Sequence, residues 1–97
     1  MERMAAYVNI LESAQAWKPG RGVCRLVIGP SARVDAEREA HLVRLTADNC
    51  DMLVSEVEDP ENTPERYRIM VILNGNRSQM IEFAEIMISL TASPSAR

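Results

Sequence analysis

The stretch "VCRLVIGPSARVDAEREAHLVRL", residues 23–45, decides the fold that this sequence predicts. Its first part alternates as a strand does, with Cys24, Leu26 and Ile28 uniformly apolar and directed toward a core. Gly29 and Pro30 are predicted to end this strand, because a Gly-Pro pair commonly interrupts regular secondary structure. The chain then changes from apolar to densely charged, which indicates the start of a helical segment.

That helical segment is predicted as two short helices or as one helix with a break. Ser31 is a plausible N-cap and Asp35 is a second one a turn later. Asn49 can supply the left-handed turn that ends the segment. The modest inward stripe comprises Val34, Ala40, Leu42 and Leu45.

The second half of the chain predicts two strands and a final helix. Residues 52–58 and 66–73 alternate as strands, and their short connection favours an antiparallel pair. The "NGN" at 74–76 reads as a turn, and Asn76 followed by Gln79 resembles a capping box. The inner stripe of the final helix comprises Met80, Phe83, Ala84, Met87 and Thr91.

The N-terminal segment has helical spacing over residues 4–17 and ends by Lys18, because Pro19 follows. We predict a helical arm over residues 1–19 that packs on the domain or on a partner. The main domain then covers residues 20–92, and residues 93–97 form a disordered tail.

Composition excludes several classes. The chain has 97 residues, 46% apolar and 26% charged, which suits one globular domain. No apolar run approaches the ~20 residues of a membrane span, and no signal-peptide pattern is present. Cys24 and Cys50 are too few for a disulfide framework, so we interpret them as buried apolar residues in a reducing compartment. We expect a cytoplasmic location, with the nucleus as the alternative.

No residue pattern supports catalysis. His41 lies mid-helix without a nucleophile placed to use it, and no phosphate loop or dinucleotide motif occurs. We therefore expect no enzyme activity, no metal and no cofactor. The charge distribution is more informative, since residues 48–65 contain seven acids and no basic residue. Such a run is typical of a solvated loop and strand face, and the alternative is a surface that repels phosphate or recruits a basic partner.

Three stretches together resemble a eukaryotic-type (type I) KH domain. "CRLVIGPSA" is similar to the first strand and helix entry of that family, and "AHLVRLTADNCDMLVSEVE" to its second helix and second strand. "TPERYRIMVILNGNRSQMIEFAEIMISL" resembles the third strand and last helix. The resemblance implies an α+β domain of order β-α-α-β-β-α, with helices packed on one face of an antiparallel-type sheet of mixed direction. We expect the first strand to lie in the middle of that sheet.

The resemblance fails where KH domains hold nucleic acid. That family places a Gly-x-x-Gly loop between its first two helices, where glycine lets the backbone approach the phosphates. The matching positions here are Asp35, Ala36, Glu37 and Arg38, so the glycines are absent and acids replace them. The resemblance implies a degenerate loop that does not clamp RNA.

We therefore interpret the chain as a protein-interaction or scaffold module of an RNA-regulatory protein, active in post-transcriptional regulation. The expected partner-contact residues are Tyr7, Leu11, Trp17, Glu56, Glu58 and Asp59. Pairing of two copies through the arm or the exposed third strand is left open.

Two alternatives remain. The first is weak RNA binding by a basic patch, with contacts from Arg21, Arg25, Arg33, Arg38 and Arg44. The second is a ferredoxin-like sandwich lacking its last strand, which would bind a small ligand or form a dimer.

Overall fold

The computed structural model describes residues 2–92 as three helices and a three-stranded sheet. The elements, in chain order, are α1 (Glu2–Gln15), β1 (Arg21–Ser31), α2 (Arg33–Asn49), β2 (Leu53–Glu58), β3 (Tyr67–Asn76) and α3 (Arg77–Ala92). The predicted tail at 93–97 lies outside the described residues. No helix within residues 2–92 has the length and apolar character needed to cross a membrane.

The sheet has the order β1-β3-β2, and both neighbouring pairs are antiparallel. The predicted antiparallel pairing of β2 with β3 is confirmed. The predicted mixed sheet with the first strand in the middle is wrong, and β3, left open as an exposed edge for pairing, is instead the central strand. β3 occupies the centre, and its inward residues Val71 and Leu73 are fully buried. β1, α2 and β2 thus form a split β-α-β unit into which β3 is inserted.

The helical segment between β1 and β2 is one continuous helix of 17 residues, so the predicted pair of helices or broken helix is wrong. Ala32, whose side chain makes no capping bond, precedes its first turn. The left-handed residue after it is Asp51, not Asn49.

The inward stripe of α2 also differs from the prediction, because Val34, Leu42 and Leu45 are exposed. The buried residues of α2 are Ala36, Ala40, Val43, Thr46 and Ala47. Three of these five are alanines, and a small side chain lets a helix approach the sheet closely. The buried side of α2 is therefore marked by small side chains rather than by large apolar ones.

The N-terminal helix is part of the core. Tyr7, Ile10 and Ala14 are buried, and the Tyr7 ring meets the Phe83 ring of α3 edge-on at 6.3 Å between centroids. The segment predicted as an arm therefore packs on the domain and completes the helical layer together with α2 and α3.

The junction of β3 and α3 follows the predicted capping box. The Asn76 backbone N–H donates to Gln79 Oε1, and the Gln79 N–H donates to Asn76 Oδ1, each at 2.8 Å. "NGN" is not a separate turn, because β3 continues through it to Asn76. β1 likewise continues past Gly29 and Pro30 to Ser31, with a register shift between Ile28 and Ser31.

Candidate functional site: the open face of the sheet

The three strands expose one whole face of the sheet, which we call the open face. Residues that pair directly across an antiparallel ladder project to the same side, so the register defines this face. Its residues are Val23, Arg25, Val27, Leu53, Ser55, Val57, Arg68, Met70, Ile72 and Asn74. The helices cover the other side, where the alternate residues of β1 and β3 are buried.

The paired residues of the open face form three transverse rows. These rows are Val27–Met70–Val57, Arg25–Ile72–Ser55 and Val23–Asn74–Leu53. Val57 is 55% exposed and Leu53 is 66% exposed, although both belong to strands. Isolated apolar side chains on a surface are ordinary, whereas a contiguous apolar face is typical of an interaction site.

A cavity of about 340 Å³ lies at one end of the open face. Its apolar part consists of Val27, Val57 and Met70. The segment between β2 and β3 closes its rim, where Arg68 Nη2 lies 3.2 Å from Asp59 Oδ2. The backbone N–H of Glu61 and the Arg68 guanidinium both donate to Asp59 and lower the pKa of that carboxyl below its ordinary value.

Asn62 holds the segment between β2 and β3 against β3. The Arg68 N–H donates to Asn62 Oδ1 at 2.8 Å, and Asn62 Nδ2 donates to the Arg68 carbonyl at 2.9 Å. The Asn62 side chain therefore makes with β3 the pair of hydrogen bonds that a neighbouring strand would make. The rim of the cavity is fixed by these bonds and by the ion pair of Arg68.

Charge on the open face is confined mainly to its margins. Arg25, in the middle row on β1, has no hydrogen-bond or ion-pair partner among the side chains described in residues 3–92. Arg21, at the end of the same strand, donates to Asn74 Oδ1 at 2.8 Å. Acidic residues lie at both ends of β2, with Asp51 before it and Asp59 after it. One margin of the face is thus basic and the opposite margin is acidic.

The residues predicted as a degenerate loop lie in the first two turns of α2, so a loop at Asp35, Ala36, Glu37 and Arg38 is wrong. Ala36 is buried, whereas Arg38 Nη1 pairs with Asp35 Oδ1 at 3.3 Å. Glu37 accepts from Arg33 Nε at 3.0 Å. A helix forms here because these i,i+3 and i,i+4 pairs support it and because Ala36 reaches the sheet.

The predicted partner contacts are dispersed. Tyr7 is fully buried, which contradicts its assignment as a contact, and Leu11 is partly buried against the core. Trp17 is half-buried over Gly22, where a Cβ would lie 2.5 Å from the ring.

The three acidic residues predicted as partner contacts lie on or near β2. Glu56 accepts a hydrogen bond from Arg44 of α2 on the helix-covered side. Glu58 and Asp59 line the cavity. Only these two of the predicted contact residues border the open face.

The five arginines predicted to contact RNA do not form one patch. Arg21 and Arg25 lie on β1, whereas Arg33, Arg38 and Arg44 lie on α2 in the other layer. Each of the three α2 arginines pairs with a carboxylate. Their charge is therefore largely compensated within the domain.

The buried ionisable groups hold the layers together. Tyr7 Oη donates to Glu39 Oε2 at 2.5 Å, and Arg3 Nη2 lies 2.7 Å from the same oxygen. Burial and the Glu39 carboxylate raise the pKa of Tyr7. Within residues 2–92 no cluster of three or more His, Cys, Asp or Glu side chains could hold a metal ion.

Sequence reasoning missed the open face as a site. The signal was present, because Val23 and Val27 alternate with Cys24 and Leu26, and both sets are largely apolar. A strand that faces water on one side normally carries polar residues there. Apolar residues on both sides of β1 and β3 therefore indicate a second covered surface.

No protein-family model, curated protein or solved structure matches this chain.

Proposed function

We propose that this domain is a protein-interaction module whose binding surface is the open face of its sheet. The observation that carries the proposal is the apolar row Val27–Met70–Val57, whose side chains are 40%, 37% and 55% exposed. Leaving such a row in water forgoes the roughly 25 cal/mol per Å² that burial of apolar surface provides. A partner that covers the face recovers this free energy.

The shape of the surface suits a macromolecular partner. The rows extend across all three strands. The apolar side chains lie beside the polar or charged side chains of Arg25, Ser55 and Asn74, and such mixed composition is usual in protein–protein interfaces. This interaction role agrees with the scaffold function expected from the KH resemblance, but it does not depend on membership of that family.

KH membership remains a prediction with one added difficulty. The family's loop between two helices has no counterpart in the continuous α2. The ferredoxin-like alternative requires a single helix between its first two strands, and the split β-α-β order accords with it. We favour the ferredoxin-like architecture for this reason.

RNA binding is the weaker function. Sheet faces that bind single strands stack bases on aromatic side chains. None of the four aromatic residues of the chain, Tyr7, Trp17, Tyr67 and Phe83, belongs to the open face. Fluorescence anisotropy with mixed single-stranded RNA tests this point. Binding tighter than ~10 μM at near-physiological salt would contradict a purely protein-binding role.

Site-specific photocrosslinking tests the proposed surface. The photoreactive residue p-benzoylphenylalanine replaces Met70 on the open face, and in a matched variant it replaces Leu45, an exposed residue of α2. The full chain is expressed in cells that naturally make it and is irradiated there. We expect discrete protein adducts from position 70 and few from position 45, because only the open face is covered.

Mass spectrometry identifies the crosslinked chains. Equal, diffuse labelling from both positions, or no adduct from position 70, would refute the proposed function. Circular dichroism of both variants confirms that each retains its fold before the comparison is made.

A further inference from the structure

We infer that the occupant of the open face is a second copy of this chain, packed face to face about a two-fold axis parallel to β3. The inference rests on the proposed function, since it identifies the partner of the same surface. It follows from the arrangement of side chains in the three rows and from the charge of the two margins.

The central strand supplies the axis of such a dimer. A two-fold axis along β3 places Met70 against Met70 and Ile72 against Ile72 of the other copy. The same axis places β1 over the partner's β2, so Val27 faces Val57 and Val23 faces Leu53. The apolar positions of the face thus meet apolar positions, as a self-complementary interface requires. On the axis itself Asn74 also meets Asn74, and Arg68, whose charge is already paired with Asp59 of its own copy, meets Arg68. Two antiparallel sheets packed in this way form an aligned sandwich.

Arg25 selects this axis over its alternatives. Arg25 is the charged residue of the middle row, and with the axis along β3 it faces the small, polar Ser55 of the other copy. An axis across the strands at this row would instead place Arg25 against Arg25. Burying two like charges together is costly, so the second arrangement is disfavoured.

The charges at the margins favour the same arrangement. The β1 margin carries Arg21 and Arg25, and the ends of β2 carry Asp51 and Asp59, of which Asp59 is already paired with Arg68 of its own copy. Rotation about β3 brings the basic margin of one copy over the acidic margin of the other. Complementary charge at a rim mainly increases the rate and the specificity of association.

The size of the face sets the expected affinity. Three strands and four side-chain positions along β3 span roughly 15 by 25 Å, from the usual strand spacing and rise. This area is smaller than the roughly 800 Å² per partner of a standard interface. We therefore expect a weak dimer, with a dissociation constant of roughly 10–100 μM.

Sedimentation equilibrium over about 5–500 μM tests the dimer. The substitutions Ser55→Glu and Ser55→Lys alter the position that Arg25 faces across the axis. We expect Ser55→Glu to tighten the dimer several-fold at low salt, because it places a carboxylate opposite Arg25. Ser55→Lys should weaken the dimer by a similar factor.

Met70→Lys provides the disruptive variant and Leu45→Lys its matched control on α2. Met70→Lys should weaken association by about tenfold or more, whereas Leu45→Lys should leave it unchanged. The melting temperature of each variant at low concentration shows whether the monomer remains folded. If the carboxylate introduced by Ser55→Glu paired with Arg25 of the same copy, the melting temperature at low concentration would rise and the association constant would not change.

The outcomes separate this inference from the proposed function. A monomer at 500 μM, or equal effects of the two Ser55 substitutions, would overturn the two-fold pairing. Adducts from position 70 that contain a different protein would also overturn it while leaving the interaction role in place. Adducts of this chain with itself would support the interaction role and the two-fold pairing. The absence of adducts from position 70 would refute both proposals.

Discussion

The two sides of the sheet carry similar side chains in opposite environments. On the helix-covered side Leu73 and Val71 are fully buried, and on the open side Val57 and Met70 are 55% and 37% exposed. Apolar character alone therefore does not determine which side becomes the core. The covered side is uniformly apolar along β3, whereas Asn74 and Arg68 interrupt the open side. The interruptions leave the open face able to bind reversibly, and the continuous side specifies the fold.

The largest expected difference between the two sides is in stability. We expect Leu73→Ala to lower the free energy of unfolding by about 2–5 kcal/mol, because it removes buried methyl groups and leaves a cavity. Met70→Ala on the same strand should cost less than about 1 kcal/mol in the monomer. Urea denaturation at low protein concentration measures both. Equal losses would show that the open face is covered within the monomer.

A smaller loss should follow from enlarging the close-packed side of α2. Ala40 is 1% exposed against the sheet, so Ala40→Leu should destabilise the domain by about 1–3 kcal/mol through overpacking. The neighbouring His41 is exposed, and His41→Leu should change the free energy of unfolding by no more than about 0.5 kcal/mol. The same urea measurement applies. A neutral Ala40→Leu variant would mean that α2 lies farther from the sheet than described.

The end of β3 offers a comparison between a capping and a non-capping asparagine. Asn76→Ala should cost about 1 kcal/mol, because the Gln79 backbone N–H then loses its acceptor Asn76 Oδ1, while the bond from the residue-76 backbone N–H to Gln79 Oε1 is kept. Asn74→Ala removes only the two exposed bonds that Arg21 Nε and Nη2 donate to Asn74 Oδ1, and it should cost less than about 0.5 kcal/mol. Thermal unfolding at low concentration ranks the two variants. The reverse order would place the helix start elsewhere.

Local patterns in the sequence predicted the elements well and their packing less well. The inward side of β1 was predicted correctly from the alternation of Cys24, Leu26 and Ile28. The inward side of α3 was predicted correctly from the stripe of Met80, Phe83, Ala84 and Met87. Thr91, predicted in the same stripe, is exposed. The inward side of α2 was missed because alanine contributes little to an apolar pattern, although it permits close approach.

The order of the strands and the candidate site were not predictable in the same way. Strand order depends on non-local pairing, and no residue of β1 or β2 specifies which strand lies between them. The open face was missed because β1 was assigned a single core-facing side and the alternation of β2 and β3 was not assigned to sides, which left Val23, Val27 and Val57 as ordinary surface residues. Those residues form a face only when the register of all three strands is known.

The smallest expected effect concerns Cys50, a buried thiol on the covered side of the sheet. Burial raises the pKa of this thiol to about 11, and the neighbouring Glu82 carboxylate adds to the rise. Below the ordinary thiol pKa of about 8.5 both the folded and the unfolded chain keep the proton, so stability is unaffected. Above it the unfolded chain releases the proton first, and stability falls as the pH rises toward 11.

The predicted loss from this group is less than about 1 kcal/mol at pH 9, relative to pH 7. Urea midpoints at the two pH values measure it in the unmodified chain and in Cys50→Ala. The decrease should be smaller in the variant, whatever the variant's own stability at pH 7. An identical decrease would show that Cys50 keeps an ordinary pKa, and hence that water reaches the covered side near the start of β2. In that case the contrast between the two sides of the sheet would be weakest at this end, beside Leu53.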